Sequence, residues 1–184
     1  MSKNKYQKPR GMQDILPGDQ KLWEFITEKF VQASKNAGFA RISTPVLEST
    51  QLFSRAVGEQ TEVVAKEMYT FEDRSGNSLS MKPESTAGVV RAYIENGMSS
   101  LPKPTKLFYI EPHFRYERPQ AGRYRQHHQL GAEIFGDGSA QSDVHTIALG
   151  CRVLNDLGIE HKVSINSIGS VQDRKNYAEA LVNY

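Results

Sequence analysis

Apolar residues recur along this chain with two different periods, and the switches between them outline its elements. From about Asp19 to Ala37, Leu22, Phe25, Ile26, Phe30 and Ala33 fall on one helical face. Pro17-Gly18 precede that helix and Gly38 stops it, because glycine takes a left-handed C-terminal conformation without steric cost. Phe39 to Thr44 reads as a strand, with Pro45 confined to a strand edge or end because it has no N–H for a ladder. Met68–Phe71 and Leu79–Met81 flank a glycine-containing turn, which predicts a hairpin. A short helix capped by Ser85 or Thr86 should run to Asn96 and stop at Gly97, burying Val89, Val90, Tyr93 and Ile94.

Beyond the loop marked by Pro102 and Pro104, Lys106 to Ile110 is apolar on both faces and reads as a central strand. His113–Glu117 and Gln129–Phe135 then form a second hairpin around a basic turn. A helix from about Ser142 to Leu157 carries Val144, Ile147, Ala148, Cys151 and Leu154 at helical spacing, with Gly158 as its stop. Val163 and Ile165 alternate as in a strand. The last helix starts at Ser170, with Asp173 placed as its capping-box partner. Antiparallel hairpins clustered between helices predict an α+β fold rather than a doubly wound parallel sheet.

The 184 residues are enough for one domain, or one and a half, and 38% are hydrophobic, so a disordered chain is excluded. No uncharged apolar run approaches the ~18 residues of a membrane span, and the start lacks the apolar centre of a secretory signal. One cysteine, Cys151, allows no internal disulfide and suits a cytoplasmic protein. The net charge of +2 is too small to steer a nucleic acid by itself, so any such contact falls to local arginines.

The densest chemistry lies in Phe114-Arg115-Tyr116-Glu117-Arg118-Pro119-Gln120-Ala121-Gly122-Arg123-Tyr124-Arg125-Gln126-His127-His128-Gln129-Leu130-Gly131-Ala132-Glu133. Strand alternation places Arg115 and Glu117 on one face of the outgoing strand. On the return strand it groups Gln129, Gly131 and Glu133 against Leu130, Ala132 and Ile134. The apolar set faces the core, and Gly131 leaves a gap on the polar surface. Carboxylates, a carboxamide and arginines around such a gap suit a zwitterion beside a polyphosphate, since guanidinium forks hold phosphate oxygens bidentately. Spacing alone fits equally a solvated hairpin with weak cross-strand Arg–Glu pairs. His113 and His127-His128 lack a partner set at metal spacing, so no metal site is expected. Trp23, Phe25 and Phe30 read as core packing, and Glu48, Glu59, Glu62 and Glu67 as solvated surface, with Arg55 to Lys66 available as a loop over the site.

That stretch resembles motif 2 of the class II aminoacyl-tRNA synthetases, and its wording resembles the histidyl-tRNA synthetase family. Arg10-Gly11-Met12-Gln13-Asp14-Ile15-Leu16-Pro17 is similar to the family's amino-terminal signature, and Gly38-Phe39 through Pro45 to motif 1. Met81-Lys82-Pro83-Glu84-Ser85-Thr86 resembles the Pro-Glu-Gly-Thr segment, and Asn166-Ser167-Ile168-Gly169 is also family-like. Five segments in family order make this specific. The fold so implied is a class II antiparallel sheet flanked by helices, incomplete at its C-terminal end.

The implied reaction is ATP-dependent activation of histidine to histidyl-adenylate, then transfer to tRNA(His). By resemblance, Arg115 is the catalytic residue. It holds the α-phosphate and the histidine carboxylate, and a preorganised guanidinium there supplies ~3–4 kcal/mol. Glu117 receives the adenine amino group, and Arg123 contacts the nucleotide and its phosphates. Glu84, Thr86 and Gln129 hold the substrate ammonium, and Glu133 accepts the imidazole N–H, which rejects substrates lacking it by roughly 10⁴-fold. ATP would come with Mg²⁺, and motif 1 with Pro45 implies a homodimer. Arg118 and Arg125 are left open, with the tRNA acceptor end as one partner.

Ser85 departs from the family's usual glycine, which predicts modest crowding beside the ammonium site, or none if the side chain points away. The later Arg-Gly-Leu-Asp-Tyr-Tyr segment, motif 3 and an anticodon-binding domain do not occur in residues 1–184. The expectation is therefore the N-terminal portion of a catalytic domain, inactive alone. Two other functions fit the same motifs: the histidine-sensing regulatory subunit of ATP phosphoribosyltransferase, and a synthetase-like RNA-sensing module.

Overall fold

In the computed structural model, the described residues are 6–57, 67–166 and 169–182. Glu59, Glu62 and most of the loop expected over the site fall outside them, as do Ser167 and Ile168 of the Asn166–Gly169 segment.

The described elements are α1 (Pro17–Asn36), β1 (Ala40–Arg41), β2 (Leu47–Ser49), α2 (Thr50–Val57), β3 (Thr70–Glu72), β4 (Ser78–Met81), α3 (Thr86–Glu95), β5 (Thr105–Phe114), β6 (Gln126–Phe135), α4 (Ala140–Asp156) and α5 (Val171–Val182). They build two three-stranded sheets, ordered β1-β5-β6 and β2-β4-β3. The second is antiparallel throughout; in the first, β1 runs parallel to β5 and β5 antiparallel to β6. This is the expected α+β architecture.

The ladder between β5 and β6 is ten rungs long, from Thr105↔Phe135 to Phe114↔Gln126. Pro112 lies inside β5, where the sequence reading breaks the strand. The break does not occur because β1 pairs only with Leu107 and Phe108, so a residue without N–H costs no bond on that side. The Phe39–Thr44 strand shrinks to Ala40–Arg41, the two residues that pair with Leu107 and Phe108, and Pro45 is exposed just before β2.

One face of β5–β6 carries the main core. Phe30, Ala33, Phe39, Phe108, Leu149 and Val153 form it, with Ile110, Leu130, Ala132 and Ile134 packed against them. Phe108 is wholly buried and meets the Phe30 ring edge-on at 5.7 Å. Removing such a ring from water contributes about 1.5–3 kcal/mol. Leu130, Ala132 and Ile134 thus face inward as alternation requires. On the opposite face, Val89 of α3 packs with Leu107 and Tyr109.

The faces of α3 and α4 are rotated from their sequence reading, and that of α1 is covered over only part of its length. In α1 only Phe30, Ala33 and Ser34 are buried, while Leu22 and Phe25 are exposed. Trp23 packs instead against the edge of His128, 4.8 Å away. In α3 Ala87, Gly88, Val89, Ala92 and Tyr93 are buried, and Val90 and Ile94 face outward. In α4 Ser142, Leu149 and Val153 are buried, while Val144, Ile147 and Ala148 are exposed. Periodicity identifies an apolar stripe, but the contacting element selects which residues of that stripe are covered. Val163 and Ile165 form no strand and are exposed, since no described strand pairs with them. At α5 the expected capping box is present: the Ser170 N–H donates to Asp173 Oδ2 at 2.7 Å, and the Asp173 N–H to Ser170 Oγ at 3.2 Å.

Candidate active site

Cross-strand register sets the polar face of the long hairpin: Leu107 opposes Glu133, Tyr109 opposes Gly131, Glu111 opposes Gln129 and His113 opposes His127. The gap expected over Gly131 is filled from within the protein. A Cβ on Gly131 would land in the Tyr109 ring, so this glycine admits a neighbouring aromatic side chain rather than a ligand. Tyr109 then reaches Glu133 with its hydroxyl at 3.4 Å. Burial, and next the Glu133 charge, push the Tyr109 phenol up to about 12.

The segment before α3 supplies the other wall. Glu84, rather than Ser85 or Thr86, caps the helix: its carboxylate accepts the N–H of Thr86 at 2.8 Å and of Ala87 at 2.9 Å. A carboxylate at that end is favoured by the helix dipole as well as by the unpaired N–H groups. Thr86 donates its hydroxyl to Glu133 Oε1 at 2.8 Å. Burial raises the Glu133 carboxyl above its ordinary range, opposed by the Thr86 hydrogen bond and reinforced by the Glu84 charge. Ser85 points away from this surface, as one of the two expectations for it had it, and bonds His113 instead.

Arg115 continues the ladder one step past β5, its N–H donating to the Arg125 carbonyl at 2.9 Å. Its Nε donates to the Pro83 carbonyl at 2.9 Å, which anchors the guanidinium beside the Glu84 segment. Glu117 has left the strand, so alternation is not what places it near Arg115. The loop does so, with Glu117 Oε1 4.0 Å from Arg115 Nη1 and Oε2 3.6 Å from Arg123 Nη1. Arg125 is engaged internally, stacked over the Tyr116 ring at 3.7 Å and donating to the Glu117 carbonyl at 3.1 Å. Its N–H also donates to the Gly11 carbonyl at 2.7 Å, which ties the Arg10-Gly11 signature under the hairpin. Gly11 has φ +82°, and a Cβ there would press on the Arg125 side chain.

Glu84, Thr86, Arg115 and Gln129 line one cavity of about 990 Å³, with Leu52, Ala56, Val90 and Ile94 supplying apolar wall. Four of the five residues expected to bind an amino acid thus line the cavity, and the fifth, Glu133, is hydrogen-bonded to one of them, Thr86. Carboxylate, hydroxyl and carboxamide acceptors lining a cavity together with a guanidinium suit an ammonium–carboxylate pair. Glu117 and Arg123 extend the site along the loop, where Arg123 is largely exposed.

The sequence reading did not single out Lys82 or Glu111 and gave His113 no role. Lys82, 1% exposed, reaches Glu111 at 2.7 Å and the Thr44 carbonyl at 3.2 Å. Ser85 Oγ and His113 Nε2 are 2.7 Å apart, both residues buried. Extending the period-two pattern through Pro112 would have placed Glu111 and His113 on the site face with Tyr109. Glu48 is not a solvated residue either: it pairs with Arg91, its side chain 11% exposed.

The family model for histidyl-tRNA synthetase matches residues 11–172. The chain is 50% identical over 180 residues to a histidine–tRNA ligase of Dehalococcoides mccartyi and 48% identical over 181 residues to that of Bacillus subtilis. Each alignment covers 97% of this chain and 43% of the relative, so the chain spans less than half the length of these proteins. It superposes on the apo histidyl-tRNA synthetase of S. aureus with a TM-score of 0.78 at 39% identity, over 97% of this chain and 42% of that one. It also resembles a Bacillus halodurans protein described as an ATP phosphoribosyltransferase regulatory subunit/histidyl-tRNA synthetase. There the TM-score is 0.73 at 28% identity, over 87% and 40% of the two chains. By a family model that matches most of its length and by relatives about half identical to it, this chain belongs to the histidyl-tRNA synthetase family.

Proposed function

We propose that this chain is the part of a histidine–tRNA ligase that grips histidine against ATP. The observation that carries this reading is the convergence of Glu84, Thr86, Arg115 and Gln129 on one cavity, with Glu133 bonded to Thr86. Glu84, Thr86 and Gln129 accept the substrate ammonium, and Glu133 accepts the imidazole N–H. Arg115 bridges the histidine carboxylate and the α-phosphate while charge shifts between them, where a fixed guanidinium stabilises the transition state most. Its Nε bond to Pro83 supports that role by holding the side chain before substrate arrives. Glu117 takes the adenine amino group and Arg123 the outer phosphates. Mg²⁺ would accompany the triphosphate and neutralise its charge.

In the whole protein the histidyl group then passes to tRNA(His), and the exposed segment at Pro45 belongs to a homodimer interface. The 184-residue chain, lacking the motif 3 arginine, is not expected to catalyse histidine-dependent pyrophosphate exchange. Histidine titrated into the ¹⁵N-labelled chain should shift the Thr86, Gln129 and Glu133 amides, and alanine should not. ATP should shift Arg115, Glu117 and Arg123. Equal shifts with both amino acids, or shifts elsewhere, would refute the reading. Histidine shifts without any ATP response would favour the sensor function instead.

A further inference from the structure

The five residues from Lys82 to Thr86 are stitched to the hairpin almost one by one. Lys82 pairs with Glu111, and its carbonyl accepts the Phe114 N–H at 3.0 Å. The Pro83 carbonyl accepts from Arg115, and Thr86 donates to Glu133. Glu84 is turned back to cap α3. The remaining attachment is Ser85 to His113, between Glu84 and Thr86, two of the three side chains assigned to the substrate ammonium. Both partners are sealed, Ser85 at 1% exposed and His113 at 0%. Among the described residues His113 Nδ1 has no hydrogen-bond partner, so Ser85 is the one hydrogen-bond partner there of a fully buried ring. Its surroundings keep that ring neutral: burial first, then the charges on His127, Lys82 and Arg115. A neutral ring and a hydroxyl satisfy each other with one proton, whichever atom donates.

We propose that Ser85 and His113 form a positioning pair, which locks the Glu84–Thr86 corner in its amino-acid-binding geometry. The pair touches neither substrate and acts through Glu84 and Thr86, so this inference rests on the proposed histidine site. A glycine at position 85 has no side chain to reach the ring and adds backbone freedom, whereas this chain's serine supplies a tether. His113 and Ser85 thus act as a matched pair, since removing either leaves the other buried without its partner.

Backbone ¹⁵N relaxation on the ligand-free chain tests the lock without any assumption about substrate. In the parent chain the Thr86 and Ala87 amides should have order parameters near the ~0.85 of rigid backbone. In Ser85→Ala they should fall toward about 0.6, while Phe108 and Val89 stay unchanged. His113→Leu, which removes the other partner, should lower the same order parameters and serves if Ser85→Ala fails to fold; unchanged values there count equally against the pair. His113→Gln, whose amide reaches to a similar distance, should keep most of the rigidity. Unchanged order parameters at Thr86 and Ala87 in folded Ser85→Ala would overturn the proposal. Histidine titration separates it from the site reading. A parent that binds histidine and a Ser85→Ala variant that binds at least fivefold more weakly, with ATP affinity unaltered, supports the lock. Equal histidine affinity in both would overturn the lock and leave the site standing. A parent that does not respond to histidine refutes the site reading, and the relaxation result still decides the pair.

Discussion

Thr86 and Glu133, 47 residues apart, meet in a 2.8 Å hydrogen bond that joins the two walls of the cavity. Glu133 must desolvate to make it, and its carboxyl is raised by that burial. Glu133→Gln keeps the shape and removes the charge. Histidine affinity is expected to fall by about tenfold or more, as a hydrogen bond to an ionised acceptor contributes roughly 1.5–3 kcal/mol. Titration followed by amide shifts measures this directly, and the fold should survive.

Gly131 and Tyr109 share a space that holds only one of them. Gly131→Ala places a methyl group in the phenol ring, so the tyrosine has to move and break from Glu133. Overpacking of this kind costs about 1–3 kcal/mol. Urea denaturation should show the loss as a lower midpoint at constant slope, with partial recovery in Gly131→Ala/Tyr109→Leu.

The Lys82–Glu111 pair lies deep beside Thr44. Lys82→Met leaves a buried carboxylate without its cation, a change that costs about 3–5 kcal/mol. Adding Glu111→Leu should return much of that stability, because two apolar groups have no charge to desolvate. The double variant is the informative measurement, and a double variant no more stable than Lys82→Met would contradict this account.

Stability should also fall in mild acid. Burial holds His113 down to about 3, against 6.5 in the unfolded chain, and lowers His127 and His128 as well. Below pH 6.5 the unfolded state therefore binds protons that the folded state refuses. Each such group lowers stability by up to about 1.4 kcal/mol per pH unit, and His113 goes on doing so until the pH nears 3. Glu133 works in the opposite sense, because its raised carboxyl favours the folded state as the pH drops toward its titration. Denaturation midpoints between pH 7 and 5 isolate the histidines from the lowered carboxylates of Asp73, Asp137 and Asp173, which matter only in stronger acid. His113→Gln should flatten that segment of the curve.

Val144 and Ile147 on α4, Val90 and Ile94 on α3, and Val163 and Ile165 beyond α4 are all exposed. Apolar surface distributed over three segments promotes association. Light scattering at rising concentration should show the chain self-associating, and a clean monomer would count against it.

Much of the site was readable in the linear order because local rules govern it. Alternation separated Gln129 and Glu133 from Leu130, Ala132 and Ile134, and the glycines at 38 and 97 ended their helices with positive φ. The charged loop pointed to an anion site through residue chemistry alone, and the motif order pointed to the family. What stayed hidden involved partners far away in sequence. Pro112 broke the strand on paper but not in space, which concealed Glu111 and His113. The faces of α3 and α4 were rotated from their sequence reading, and that of α1 was right at Phe30 and Ala33 but uncovered at Leu22 and Phe25, because amphipathicity leaves open which part of an apolar stripe a neighbour covers.

Residue identity by itself determined α1, α3, α4, α5 and the two hairpins, the polar and apolar faces of the longer one, and the chemistry the chain can present, but neither β2 nor α2. Tertiary structure decided that Gly131 makes room for Tyr109, that Glu84 rather than Ser85 caps α3, and that Ser85 turns inward to His113. The reason is range. Periodicity and capping act within a few residues, while burial and hydrogen-bond satisfaction of Ser85, Lys82 and Glu133 depend on groups 28 to 47 positions away.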